Sequence, residues 1–196
     1  MSIYGDHLPK MNAVMTEIIG RIDSVRKKME KENGMDPVEH CLSRIKSDES
    51  MREKCRRKNL PETEESALSV IKDAIGIRIV CAFLSDVYAI KEFLISFSDL
   101  TVVEEKDYIK NVKPNGYRSY HMILKTESGY FVEIQLRTIS MDTWAALEHH
   151  MKYKKKITGN ERLIENELKR CADELASTDV SMQEIRNLIF ESSREM

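Results

Sequence analysis

The chain has 196 residues, a formal net charge of −2 and a hydrophobic fraction of 41%, enough for one domain with a real core. No apolar run approaches the length of a membrane span, and so slight a charge leaves any anionic ligand to a local basic patch. The four cysteines (Cys41, Cys55, Cys81, Cys171) are scattered without a Cys-x-x-Cys pair, which argues against a disulfide framework and a zinc ribbon. With no basic-then-apolar leader at the start, a cytoplasmic location is the expectation.

Leu8, Met11, Met15, Ile18, Ile22, Val25 and Met29 recur at steps of three and four. That is a helix with a heptad seam, ended by Asn33-Gly34. After the Asp36-Pro37 turn a short strand runs through Lys46, placing Arg44 and Lys46 on one face if it is extended. Ser47 caps a helix to Asn59 that carries Lys54, Arg56, Arg57 and Lys58. A second short helix spans Glu62 to Lys72. Asp73 then leads into a strand, Ile75 to Phe83, that reads as apolar on both faces and therefore central and doubly covered. Arg78 interrupts it, and a charge there needs a partner. Asp73 is the nearest one in sequence, and it could equally be a metal ligand. A helix (Asp86 to Phe97) and a strand (Thr101 to Ile109) follow, giving an α/β alternation around one sheet.

The stretch Lys113-Pro-Asn-Gly-Tyr-Arg-Ser-Tyr-His121 concentrates the most chemistry. Its turn residues deliver an extended run to Thr126 in which Tyr117, Ser119 and His121 share a face opposite Arg118 and Tyr120. An aromatic ring, an imidazole and nearby lysines are the parts needed to stack a base and grip phosphates. A hairpin turn at Thr126–Gly129 returns the chain as Tyr130 to Arg137. There Val132, Ile134 and Leu136 form the core face, and Glu133, Gln135 and Arg137 the other.

In the helix Ile139 to Tyr153, Met141, Trp144, Leu147 and Met151 are expected to face the sheet. Glu148-His149-His150 lacks the i, i+4 histidine pair of a zinc protease. A last helix, Glu161 to Phe190, repeats Ile164, Leu168, Cys171, Leu175, Thr178, Met182, Ile185 and Ile189 at steps of four and three. The two terminal seams imply helix-on-helix packing, within the chain or between subunits.

The segments Asp73-Ala-Ile-Gly-Ile-Arg78, Tyr108-Ile109, Asn115 to His121, Val132 to Thr138 and Trp144 to His149, with the basic clusters at Arg44–Lys46 and Lys54–Lys58, resemble the synthetase region of the RelA/SpoT family. The resemblance covers about Pro37 to Lys155. It implies a mixed sheet of the nucleotidyltransferase kind, with an N-terminal helix (1–35), a synthetase domain (36–157) and a C-terminal helix (158–196), the two end segments serving oligomerisation as a homotetramer. It implies transfer of the β,γ-pyrophosphoryl group of ATP to the 3′-hydroxyl of GDP or GTP, making (p)ppGpp and releasing AMP. Arg44 and Arg78 would sandwich the adenine, with Lys46, Lys54, Arg57 and Arg56 on the ATP phosphates. Asp73 and Glu133 would be the catalytic, Mg2+-binding carboxylates. Tyr117 would stack on guanine, with Lys113, Asn115, His121, Gln135 and Arg137 at or behind the acceptor. Two alternatives stay open: a relative acting on the 3′ end of tRNA, with Lys152–Lys156 as its basic tract, and a non-catalytic nucleotide- or RNA-binding module.

Overall fold

The computed structural model describes residues 2–154 and 160–194. Helix α1 (Leu8–Asn33) ends at Gly34, whose φ of 69° lets its N–H return to the Glu30 carbonyl at 2.8 Å. Its seam is used inside the chain: Met11, Val14, Ile18, Ile22, Val25 and Met29 are buried. At about 1.5–3 kcal/mol per buried large apolar side chain, against about 0–1 for an exposed ion pair, this stripe is what docks the helix.

Five strands, β1 (Val38–Ile45), β2 (Ile75–Cys81), β3 (Leu100–Asp107), β4 (Tyr120–Thr126) and β5 (Phe131–Thr138), form one sheet in the order β1-β2-β5-β4-β3. Only β2 and β5 run parallel. The sheet is therefore mixed, as the resemblance implies.

One face is closed. Ile75, Ile77 and Ile79 of β2, Val132, Ile134 and Leu136 of β5, and Met122 and Leu124 of β4 are buried there. They share one core with α1 and with Val87, Ile90 and Leu94 of α3 (Leu84–Ile95). The opposite face is mostly open, which corrects the expectation for β2. Its run of apolar residues is doubly covered only at the Val80 end, near α4 (Ile139–Lys154), while Gly76 and Arg78 face a cavity. Glycine at 76 has no side chain to signal a face, and this made the strand read as buried on both sides.

Helix α2 (Asp48–Arg57) is capped by Ser47, whose Oγ accepts the Ser50 N–H at 3.3 Å. The expected short helix after it is present over residues 64–70 and widens into a π-helical turn, Ser66–Val70, where the Ile71 N–H donates to the Ser66 carbonyl at 2.9 Å.

Helix α5 (Glu161–Arg194) lies against α4 through Trp144, Leu168 and Ala172, and the Trp144 indole donates to the Leu168 carbonyl at 2.8 Å. Two expectations are corrected here. Leu147 and Met151 of α4 face solvent, because α5 covers only the Trp144 side of that helix. Along α5 the seam is occupied at Ile164, Leu168 and Leu175, but Cys171, Thr178, Met182, Ile185 and Ile189 are exposed. The second half of α5 instead buries Arg186 against α3.

Candidate functional site

Pairing aligns polar side chains in rows across the open face. One row runs Arg44, Gly76, Glu133, Ile123, Glu104, and the next Leu42, Arg78, Gln135, His121, Lys106. Two cavities lie over these rows. The first, about 300 Å³, is lined by Lys54, Lys58, Lys72, Asp73, Lys106, His121 and Glu133 among others. The second, about 180 Å³, is lined by Leu42, Ser43, Arg44, Gly76, Ile77, Arg78, Glu133 and Gln135. Glu133 borders both, and Gly76 opposite it keeps the sheet surface clear between Arg44 and the carboxylate.

Asp73 stands just before β2. Its Oδ2 takes Lys46 Nζ at 2.7 Å and also Lys54 Nζ. Burial alone would raise its pKa, but the two ammonium groups outweigh it and hold the carboxyl below its ordinary value. Lys46 is fixed in turn: its N–H donates to Ala74 at 2.8 Å, and its carbonyl accepts the buried Tyr4 hydroxyl at 2.7 Å. Asp73 is thus the partner of the lysines and not of Arg78, whose carboxylate is Asp142 of α4, at 3.3 Å. A partner supplied from a later helix could not be read from the strand itself.

The other oxygen of Asp73, Oδ1, is buried and accepts no hydrogen bond. With Glu133 at the same cavity, it offers hard oxygen donors of the kind a divalent cation takes. Among the described residues no three His, Cys, Asp or Glu gather as a metal cage. A cation here would complete its shell with phosphate and water, the usual arrangement for Mg2+ beside a nucleotide.

The turn at Lys113–Gly116 presents Tyr117. Asn115 Oδ1 accepts the Tyr117 N–H at 3.2 Å, and its amide donates to Glu148 at 3.4 Å. Lys113 Nζ sits 4.3 Å from the Tyr108 ring centre and 4.8 Å from that of Tyr117. The Tyr117 ring meets Tyr108, His121 and Trp144 edge-on. Burial, followed by the charges of Arg137, Lys113, Lys106 and Arg78, depresses the His121 pKa to about 4.

Tyr117 and His121 therefore share a side, as the alternation predicts, but Ser119 does not join them. It is fully buried, and its Oγ donates to the Leu136 carbonyl at 3.1 Å, because the chain enters regular pairing only at Tyr120. Arg118 points the other way, donating to Asp173 at 2.8 Å and to the Ala172 carbonyl at 3.2 Å on α5.

Among the remaining expected residues, Gln135 donates to Glu133 at 3.0 Å. Arg137 is buried at 5% exposure and donates to Asp142 (2.9 Å), Tyr117 (2.8 Å) and Gln135 (3.1 Å). It supports the acceptor side without being open to it. Arg56 leaves the site altogether, pairing with Glu62 at 3.0 Å on the exposed side of α2. Arg57 is also exposed and lines neither cavity. Consecutive helical residues diverge by about 100°, so a basic cluster on α2 cannot all serve one cavity. The lysine tract 152–156 lies, in its side chains, outside the described residues.

Sequence reasoning missed Lys72, Lys106 and Asp142, and named Lys58 only within the basic cluster of α2. Lys106 was accessible in principle, since it pairs with His121 once β3 is set against β4.

The profile described as a region found in RelA / SpoT proteins matches residues 43–158. GTP pyrophosphokinase YjbM of Bacillus subtilis (strain 168) is 36% identical over 184 residues, covering 90% of this chain and 85% of that protein. The Bacillus subtilis small alarmone synthetase 1 bound to its product pppGpp superposes with a TM-score of 0.79 at 33% identity, over 94% of this chain and 96% of that one. The same synthetase bound to AMPCPP gives a TM-score of 0.73 at 31% identity, with 94% and 96% covered. The matched region contains both cavities' carboxylates and the whole Lys113–His121 stretch, and on that ground the chain belongs to the RelA/SpoT family.

Proposed function

We propose that this chain is a GTP pyrophosphokinase that moves the β,γ-pyrophosphoryl group of ATP to the 3′-hydroxyl of GDP or GTP, forming (p)ppGpp. The observation that carries the reading is Glu133, a single carboxylate bordering both cavities opposite the unobstructed Gly76. Arg44 and Arg78 flank the smaller cavity and would stack on the adenine. Lys46 and Lys54 would trade Asp73 for the ATP phosphates, and Tyr117 would take the guanine face with Lys113 and Asn115 beside it. His121 lines the first cavity with Asp73 and Glu133 and touches the Tyr117 hydroxyl.

In the reaction the 3′-oxygen gives up its proton and bonds to the β-phosphorus. The bond from that phosphorus to the α,β-bridging oxygen breaks, and AMP leaves with the electron pair. Glu133 is placed to receive the proton or to share a metal ion with Asp73. A ribose hydroxyl is a poor nucleophile at neutral pH, so a carboxylate beside it has a task. Mg2+, when bound at Asp73 Oδ1 and Glu133, would supply charge neutralisation for the transferring group. Lysine and arginine side chains hold the phosphates in place. Lys58, Lys72 and Lys106 extend that positive lining.

The relatives whose complexes contain pppGpp and AMPCPP support nucleotides as the partners. The exposed Met182, Ile185, Leu188 and Ile189 of α5 support assembly into a homo-oligomer, a tetramer by resemblance, which light scattering tests. No helix among the described residues is long and apolar enough to cross a membrane, in keeping with work in the cytosol on free nucleotides.

The deciding experiment incubates the protein with γ-labelled ATP and Mg2+ and, in turn, GDP, GTP and bulk tRNA. Label on a guanine nucleotide with AMP release is expected. Label on tRNA alone would move the activity to the other acceptor class, and no transfer would leave a binding module. Glu133→Gln is expected to abolish transfer while AMPCPP still binds.

A further inference from the structure

One carboxylate serves two guanidinium groups, Arg78 at the smaller cavity and Arg137 buried behind Tyr117. Asp142 Oδ1 accepts from Arg137 Nη1 at 2.9 Å and lies 3.3 Å from Arg78 Nη1. Among the described residues no other carboxylate pairs with either arginine, and the Nε of each is buried without an acceptor. His40 Nε2, at 3.9 Å from Oδ2, completes the surroundings. Two cations brought this close disfavour each other, and burial together with Arg137 depresses the Arg78 pKa. Asp142 sits in the first turn of α4, where the exposed backbone N–H groups favour a negative charge. It is a fixed counter-charge and not a mobile surface pair.

The two arms lead to different places. Arg78 lines the smaller cavity with Arg44. Arg137 reaches away from it, donating to the Tyr117 hydroxyl at 2.8 Å and, through Gln135, connecting to Glu133. We infer that Asp142 is a positioning residue that sets the adenine-stacking arginine and the acceptor-stacking tyrosine together, and so couples the two nucleotide subsites. The inference rests on the pyrophosphokinase reading for the identity of the two ligands. With Asp142 in place the two guanidinium planes are held at one relative setting. Without its charge they repel, Arg78 swings toward solvent and Arg137 loses the contact that aims it at Tyr117.

The experiment is titration calorimetry of the whole protein with AMPCPP and, separately, with GDP, in wild type, Asp142→Asn, Arg78→Ala and the double variant. Losing the charge on a hydrogen-bonded acceptor shared by two cations is expected to weaken each nucleotide by about tenfold or more. Because the guanidinium that Asp142 holds against the adenine is Arg78, the double variant is expected to bind AMPCPP about as Arg78→Ala alone does, while still showing the loss for GDP. A purely structural role would lower the affinity of the double variant for both ligands additively, and that result overturns the inference. So does an Asp142→Asn protein that binds both nucleotides as wild type does, or that weakens only one.

Should Asp142→Asn fail to fold, Asp142→Glu keeps the charge and moves it. A paired loss for both ligands supports coupling, and wild-type affinity for both overturns it. Wild-type protein that binds neither nucleotide overturns the pyrophosphokinase reading itself, a result distinct from the failure of Asp142 alone.

Discussion

The Tyr117 hydroxyl lies 2.8 Å from His121 Nε2, and Arg137 Nη2 donates to the same oxygen from 2.8 Å on another side. The phenol accepts from the guanidinium, and its own proton is satisfied when His121 Nε2 is the acceptor. A neutral His121 then carries its ring proton on Nδ1, facing Glu133 Oε1 at 4.0 Å.

This arrangement sets a pH dependence. The folded pKa of His121, about 4, lies below the ordinary 6.5, so between those values the unfolded chain binds the proton and the folded protein does not. Stability from this group is present above pH 6.5 and is lost as pH falls toward 4, by up to about 3 kcal/mol. Chemical denaturation across that range, without nucleotide or metal, is expected to show a decline that His121→Gln flattens. An imidazole titrating near 6.5 by NMR in the folded protein is the contrary result.

Tyr117→Phe separates the ring from its hydroxyl. The ring keeps its edge contacts with Tyr108, His121 and Trp144, whereas the variant loses the two hydrogen bonds, at a cost of about 1–2 kcal/mol in stability. Guanine stacking survives, but the ring loses the Arg137 bond that sets it, so KM for GDP is expected to rise by about tenfold, as for Asp142→Asn. Tyr117→Ala removes a stack of about 1–3 kcal/mol and should raise it by about fivefold to a hundredfold while AMPCPP binding holds. Steady-state kinetics with each substrate varied in turn checks both variants.

Gly116→Ala is expected to be more disruptive than its size suggests. A Cβ there would lie 2.6 Å from the Ala172 Cβ and 3.1 Å from the Lys169 Cα, and φ is +91°. Backbone strain of about 1–3 kcal/mol adds to the clash. The turn must lift from α5, displacing Tyr117. Acceptor affinity should fall with the melting temperature, while affinity for AMPCPP stays near that of wild type.

Far from the cavities, Arg186 donates to Asp86 at 2.8 Å, both buried, with the guanidinium over the Phe83 ring at 4.6 Å. Arg186→Met is expected to cost about 3–5 kcal/mol by leaving the carboxylate unpaired, and adding Asp86→Asn should recover part of it. Burial already raises the Asp86 pKa despite Arg186. Removing Arg186 raises it further, so the folded variant holds a proton that the unfolded chain releases. The destabilisation relative to wild type should therefore shrink in acid and grow with rising pH, as urea titrations at several pH values will report.

Elements whose signals are local were legible from their residues. Ser47 caps α2, Gly34 ends α1, and the alternation of Val132, Ile134 and Leu136 against Glu133, Gln135 and Arg137 holds in β5. Misreadings arose where a residue's meaning depends on something distant. Leu147 and Met151 obey helical periodicity, yet α5 covers another side of α4. Ser119 fits the strand alternation, but regular pairing begins one residue later. Arg78 has Asp73 as the nearest acid in sequence, but its carboxylate partner comes from α4.

The sequence by itself determined the elements, the residue types of the site and the family, because periodicity, caps and motif order are properties of neighbouring residues. The tertiary structure alone decided which faces are covered, that Gly76 stands opposite Glu133, and that Asp142 answers two arginines. Those depend on the parallel register of β2 with β5 and on where α4 and α5 come to rest. Long-range pairing is a choice among many surfaces of similar pattern. Packing and charge settle it only when the whole chain has closed.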